Sequence, residues 1–210
     1  MSRIALALSL TVTAAIPARA DVIDRILAVV GRELITLSDV TAALKLGLVP
    51  PPPPGADAVR DTLDALIARQ LELVEANRYQ PPEPPAADIE ARLDAIRSRA
   101  GTPETLSATL AQSGLLEEQL RSRLRDDLRI EGFLAQRFGS ARQPSDPELQ
   151  AYYRAHQADY TTAAGVRPFS DVREAIRAEV SATQRSTAIS EWLEGLRRRT
   201  EIADLYVAAR

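Results

Sequence analysis

The chain has 210 residues, no cysteine and a single histidine, which excludes disulfide scaffolding, a thiol nucleophile and a histidine-based metal cluster. Its 26 basic and 29 acidic residues leave a mild net charge of −3 with no basic block, which argues against nucleic-acid binding.

Residues 1–20 read as a secretory signal peptide. Arg3 is a short basic start, Ile4–Ile16 is an apolar run too short to span a bilayer comfortably, and Ala18-Arg19-Ala20 is an A-x-A cleavage site. An uncleaved anchor is the competing reading, but Pro17 and the A-x-A site stand where cleavage needs them. Cutting between Ala20 and Asp21 removes Arg3 and Arg19, so the mature balance is 24 − 29 = −5. The mature chain, 21–210, is long enough to bury about 70% of its unfolded surface as one domain.

Val22–Val30 is rich in Val, Ile and Leu and predicts a strand buried on at least one face, with Val22, Ile26, Ala28 and Val30 on one side. Gly31-Arg32 turns the chain and Glu33–Thr36 returns as a second strand. Ser38 is expected to cap a short helix, Asp39–Leu46, ended by Gly47. Pro50–Pro54 is a stiff polyproline connector; docking into an SH3-like groove is the less favoured use of such a run. Ala56–Arg78 is the clearest helix, with Val59, Leu63, Leu66, Ile67, Leu71 and Val74 in one apolar stripe. Prolines at 81–85 end it.

Ala86–Arg99 follows with Ile89, Leu93 and Ile96 inward. Thr102-Pro103 then opens a short helix carrying Leu106 and Leu110, stopped by Gly114. In the long helix Leu115–Phe138, Leu116, Leu120, Leu124 and Leu128 step by four before Ile130, Phe133, Leu134 and Phe138 take over. A strict step of four drifts around a helix, so the stripe should wind and meet more than one neighbour. Ser145–Glu148 is a capping box, opening a helix toward Tyr160. Thr161–Arg167 is a short polar connection. Phe169 and Ser170 start the last helix, with Val172, Ile176, Val180, Ile189, Trp192, Leu193 and Leu196 along it and Arg197–Arg199 at its negative dipole end. Glu201–Val207 can form a strand that covers the N-terminal hairpin, which is marginal alone.

No catalytic constellation emerges. His156 has Asp159 and Tyr160 nearby, but there is no G-x-S-x-G elbow and no Gly-rich phosphate loop; Ala163-Ala164-Gly165 is too short to cradle anything. The pairs Glu117-Glu118 and Asp126-Asp127 are adjacent on a helix and point apart. No cofactor is expected.

The order of these parts resembles the SurA/PrsA family of extracytoplasmic chaperones and parvulin-type prolyl isomerases. VIDRILAVVGRELITLSDV is similar to the family's opening, and VRDTLDALIARQLELVEANRYQPP to its second segment, including Leu66-Ile67 and Ala76. The stretch from PPAADIEARL to FLAQRF resembles its helical core, PSDPELQAYYRAHQADY the helix before the isomerase domain, and PFSDVREAIRAEV onward the helix and strand that return after it. Where the family usually inserts parvulin domains, between Tyr160 and Pro168, this chain has only TTAAGVR. The parvulin site uses paired histidines and apolar residues including Met; here there are His156 and Met1 alone.

The resemblance implies a mainly α fold, a helical chaperone module with a small sheet built from the N-terminal hairpin (with the core, 21–160) and the C-terminal helix and strand (168–210). It implies a periplasmic, ATP-independent holdase for unfolded envelope or outer-membrane polypeptides; the missing insert argues against isomerase activity, and the leader layout with no cysteine to lipidate argues against membrane insertion once cleaved. Leu116, Leu120, Phe133 and Phe138 are candidates for the client surface. A dedicated envelope adaptor and a divergent prolyl isomerase remain alternatives, and self-association stays open.

Overall fold

The structure, a computed structural model, describes residues 24–139, 143–162 and 165–208. The signal-peptide expectation, the Ala20–Asp21 cleavage and Val22–Ile23 lie outside the described residues. No described helix is long and apolar enough to cross a membrane.

Strand β1 (Ile26–Val30) turns through Gly31-Arg32 into β2 (Glu33–Thr36), and β5 (Ile202–Asp204) pairs with the other side of β1. Gly31 sits at φ 62°, the positive φ that a two-residue hairpin turn places at its first central position. All three strands are antiparallel, in the order β2-β1-β5, with Val30 opposite both Glu33 and Ile202. The two ends of the chain therefore meet as expected. Strict alternation in β1 is broken by a register shift between Ile26 and Ala28. Leu27 and Ala28 are consequently both buried while Ile26 is exposed.

Helix α1 spans Leu37–Leu46, and its N-cap is Thr36 rather than Ser38. Thr36 ends β2 in an extended conformation, so its Oγ1 accepts from the Asp39 N–H while Asp39 Oδ2 accepts from the Thr36 N–H. This capping box places Ser38 inside the helix, where its N–H donates to Asp24 Oδ1 at 3.2 Å. Helix α2 (Ala58–Tyr79) begins later than expected because Asp57 caps it, accepting from Val59 and Arg60. Its stripe is buried at Leu63, Leu66, Ile67 and Leu71, but Val74 is exposed.

Helices α3 (Ala86–Ala100) and α4 (Pro103–Gln112) follow the expected bounds closely, the latter capped by Thr102 with Pro103 in its first turn. Helix α5 (Glu117–Phe138) carries the winding stripe. Leu120 and Leu124 pack with α3 and α4 residues around Leu93 and Leu106, whereas Ile130 and Phe133 pack on Ala76 of α2. One helix thus joins two apolar clusters, as the drift predicts.

Helix α6 (Asp146–Ala155) is opened by the Ser145–Glu148 box, with the Ser145 N–H donating to Glu148 Oε2 at 2.8 Å. A 3₁₀ turn (Gln157–Tyr160) leads to a minimal ladder of β3 (Thr161–Thr162) and β4 (Gly165–Val166). Helix α7 (Phe169–Arg199) is 31 residues long, about 46 Å at 1.5 Å per residue. Its first half packs Val172 and Ile176 on Leu149 of α6; its last turns place Leu196 against β1, α1 and α2. Between Ile176 and Leu196 it buries no residue fully. The molecule therefore has a main body and an outlying α6–α7 unit, linked along a helix that leaves its middle open.

Candidate functional site

A hollow of about 580 Å³ lies between the end of α3, α4 and the turn into α5. Leu106 and Leu110 form its apolar floor, with Pro103, Ala111, Leu115 and Leu116 on its walls. Leu116 is 68% exposed because it is the residue before α5, not part of its buried stripe. The Leu116 N–H is held by Gln119 Oε1 at 2.8 Å, so the backbone is fixed while the side chain faces solvent. A second hollow on the outer face of α4 shares Pro103, Ser107 and Ala111 with the first. The small side chains Ser107, Ala108 and Ala111 keep this face low, so the two hollows run together.

The rim is charged. Arg97 bridges Asp94 at 2.9 Å and Glu117 at 2.7 Å, and Arg121 reaches Glu117 at 3.2 Å. Such exposed pairs contribute little to stability. They do keep a water-loving border around an apolar trough.

A second apolar surface sits where α2, α5 and α7 converge. Phe133 stacks obliquely on Tyr79 at 5.3 Å and on Trp192 at 5.7 Å, and Phe138 lies 5.6 Å from Trp192. The Arg137 guanidinium is 5.5 Å from the ring centres of both Phe138 and Trp192. Tyr79 is 61% exposed, and a small hollow opens between it, Phe133, Gln136 and Arg137.

The four residues singled out on α5 therefore divide. Leu116 lines the trough and Phe138 edges the aromatic surface, whereas Leu120 is fully buried and Phe133 nearly so. The sequence reading missed Tyr79 and Arg137, which lie at helix ends and join the surface only through tertiary packing. The signals for this cluster were Phe133 and Phe138; Trp192, the only tryptophan in the chain, was read only as an apolar residue along the last helix.

His156 is the C-cap of α6, with Nδ1 2.9 Å from the Tyr152 carbonyl and its ring stacked on Tyr152 at 4.0 Å. Tyr160 donates to Glu179 Oε2 at 3.2 Å, and a hydrogen bond to Glu179 pushes the Tyr152 hydroxyl up to about 12. Asp127 pairs with Arg69 and Asp126 with Arg129, so the adjacent acids serve separate partners. No group of three or more His, Asp or Glu able to hold a metal ion occurs among the described residues.

No family model matches the sequence. The chain is 29% identical over 152 residues to Chaperone SurA of Bordetella pertussis, and equally to that of Bordetella bronchiseptica. Each match covers 69% of this chain but 29% of the relative, so the chain spans under a third of the relatives' length. Among solved structures it is similar to a chain from work describing the virulence factor PEB4 and the periplasmic protein Cj1289 as structurally related SurA-like chaperones of Campylobacter jejuni. The TM-score is 0.54 at 12% identity, covering 87% of this chain and all of the other, a likeness of fold.

Proposed function

We propose that this chain, which has the fold of a SurA-like chaperone module, is an ATP-independent holdase for unfolded envelope polypeptides. The observation that carries the reading is the trough around α4, apolar on its floor, open to solvent at Leu116 and bordered by Arg97, Glu117 and Arg121. A hollow of a few hundred Å³ with mostly apolar walls and a few polar groups at its mouth is the usual form of a binding site. Holding an unfolded chain asks for such a surface and for no reacting group. The aromatic surface at Tyr79, Phe138 and Trp192 offers a second contact with flat, adaptable faces.

Export fits this role: Arg3, the Ile4–Ile16 run and Ala18-Arg19-Ala20 have signal-peptide layout, and cleavage there would release the domain into the periplasm. The link between the 3₁₀ turn and α7 occupies only residues 161–168, which supports a holdase without an inserted isomerase domain. A single domain over 21–210 belongs to the same reading.

The test is light scattering from an unfolded outer-membrane protein diluted out of denaturant. The purified mature protein should lower it at near-equimolar ratio, and for several unrelated clients. Suppression confined to one stoichiometric partner would favour a dedicated adaptor instead, and no suppression for any client would overturn the reading.

A further inference from the structure

Pro50–Pro54 joins α1 to α2 on the surface, with Pro50, Pro51, Pro53 and Pro54 exposed and Pro52 half-buried. Each ring fixes its own φ and disfavours the helical region for the residue before it, so residues 50–53 run extended as polyproline II. Leu48 and Val49 pack on the main core at one end of the run, and Asp57 caps α2 at the other. The carbonyls of Pro50, Pro51 and Pro52 accept no hydrogen bond from any described residue. No charged side chain stands between Gly47 and Ala56. The run is therefore a stiff, neutral, exposed rod with unused acceptors.

A rod of this kind is recognised by a flat aromatic surface with donors beside it. Its proline rings stack on the aromatic faces, and its carbonyls are left over for N–H and O–H groups. The surface at Tyr79, Phe133 and Trp192 has that form. Tyr79 is exposed and Trp192 half-buried, and both rings stack on Phe133. The Trp192 Nε1–H has no hydrogen-bond partner among the described residues and is open to solvent, and the Tyr79 hydroxyl has no such partner either. The hollow of about 210 Å³ lined by Tyr79, Phe133, Gln136 and Arg137 gives one proline ring a seat. A neutral rod meets no repulsion from Arg137.

Run and surface cannot meet within one chain. The run is held at the start of α2, and Tyr79 ends that helix, 22 residues or about 33 Å away. The other proline cluster, 81–85, is tied down where it stands: Glu83 in its middle pairs with Arg125 at 3.2 Å and Arg129 at 3.9 Å.

We propose that Pro50–Pro54 of one copy docks on the Tyr79–Trp192 surface of a second copy of this chain. Each copy carries one run and one surface, so reciprocal docking closes a dimer in which the two contacts reinforce each other. The contact uses neither Leu106 nor Leu116, so it stands or falls apart from the holdase reading of the trough.

The test is sedimentation of the mature protein over a range of concentrations, together with the emission of Trp192, the sole tryptophan. The parent should pass from monomer to dimer as concentration rises. Tyr79→Ser, and separately Pro51→Ser with Pro53→Ser, should each weaken association by about tenfold or more, the scale of losing a stacked ring. A mixture of these two variants should pair where neither pairs alone, because the intact run of the first meets the intact surface of the second. A blocked peptide of residues 48–56 should shift Trp192 emission and return the dimer to monomer, and its serine-substituted form should do neither. If Tyr79→Ser folds poorly, the run variant and the peptide carry the test. Leu116→Ser should associate as the parent does. Association that survives both variants overturns the proposal. So does a protein that stays monomeric at every concentration; if the peptide still shifts Trp192, the surface belongs to a proline-rich segment of another protein.

Discussion

The Tyr206 hydroxyl donates to Asp57 Oδ2 at 2.7 Å, tying the chain just past β5 to the N-cap of α2. Arg60, in the same first turn, pairs with Asp204 and lies 5.8 Å from the Tyr206 ring. The bond to Tyr206, and then the Arg60 N–H, hold the Asp57 carboxyl below its usual value of 3.8, while the same bond to Asp57 raises the Tyr206 hydroxyl above 10.0. The lowered Asp57 value means its contribution is full above pH 3.8 and lost as pH falls through the folded value. The raised Tyr206 value means its contribution is full below pH 10.0 and lost as pH rises through the folded value. Tyr206→Phe should therefore melt earlier than the parent at neutral pH, with the gap closing at both extremes. Thermal melts across pH check this; a gap independent of pH would count against the clamp.

Removing residues 201–210 takes away more than the clamp. The Gly31 N–H donates to the Glu201 carbonyl at 3.0 Å and the Leu205 N–H to the Leu27 carbonyl at 2.9 Å. Without β5 the β1–β2 hairpin loses its third strand, and an isolated hairpin is marginal in water. The truncated protein should melt well below the parent as a whole, and an unchanged melting temperature would refute the coupling.

Two leucines four residues apart on the sequence separate stability from function. Leu120 is fully buried among Leu93, Leu106 and Leu124, so Leu120→Ala should cost about 2–5 kcal/mol by denaturant melt. Leu116 is 68% exposed, so Leu116→Ser should change stability by no more than about 0.5 kcal/mol. It should nevertheless weaken suppression of client scattering. A Leu116→Ser protein that protects clients as well as the parent would remove the trough from the holdase reading.

Much of the architecture was legible because apolar spacing and caps are local signals. The α2 stripe from Leu63 to Leu71, the Ser145–Glu148 box, and Pro103 after Thr102 all stand where the sequence puts them. The drift of Leu120, Leu124, Ile130 and Phe133 correctly implied two packing partners for α5. What failed depended on competition between neighbours. Thr36 took the cap from Ser38 because the strand before it ends in an extended conformation. Leu27 turned inward because the hairpin register shifts, which alternation cannot reveal. Spacing marks which residues line a stripe, but not that Leu116 precedes the helix and faces out while Leu120 faces in. Nor could it show that Arg123, one arginine among many, keeps two buried donors without a hydrogen-bond partner among the described residues.

Cleavage of the leader is a separate expectation. With Arg3, the Ile4–Ile16 run and Ala18-Arg19-Ala20 in signal-peptide order, the exported protein should begin at Asp21. Intact-mass measurement on the envelope fraction reads this directly. A species retaining Met1, or one released only by detergent, would contradict it.

The purified protein should leave prolyl isomerisation at its spontaneous rate. Uncatalysed X-Pro exchange takes about tens to hundreds of seconds, because the amide must twist through a barrier of roughly 18–20 kcal/mol for an ordinary peptide bond. Acceleration requires a pocket that holds the proline ring and favours the twisted amide over both planar forms. The trough at α4 offers leucines and a charged rim. His156, the only histidine, is engaged at Nδ1 by the Tyr152 carbonyl and covered on one face by the Tyr152 ring. A proline-containing test peptide should therefore relax identically with and without the protein, in a preparation that lowers client scattering. Acceleration above the buffer rate would make the protein an isomerase. Its persistence in His156→Ala would place the active site away from the sole histidine, and its loss there would place the site at the end of α6.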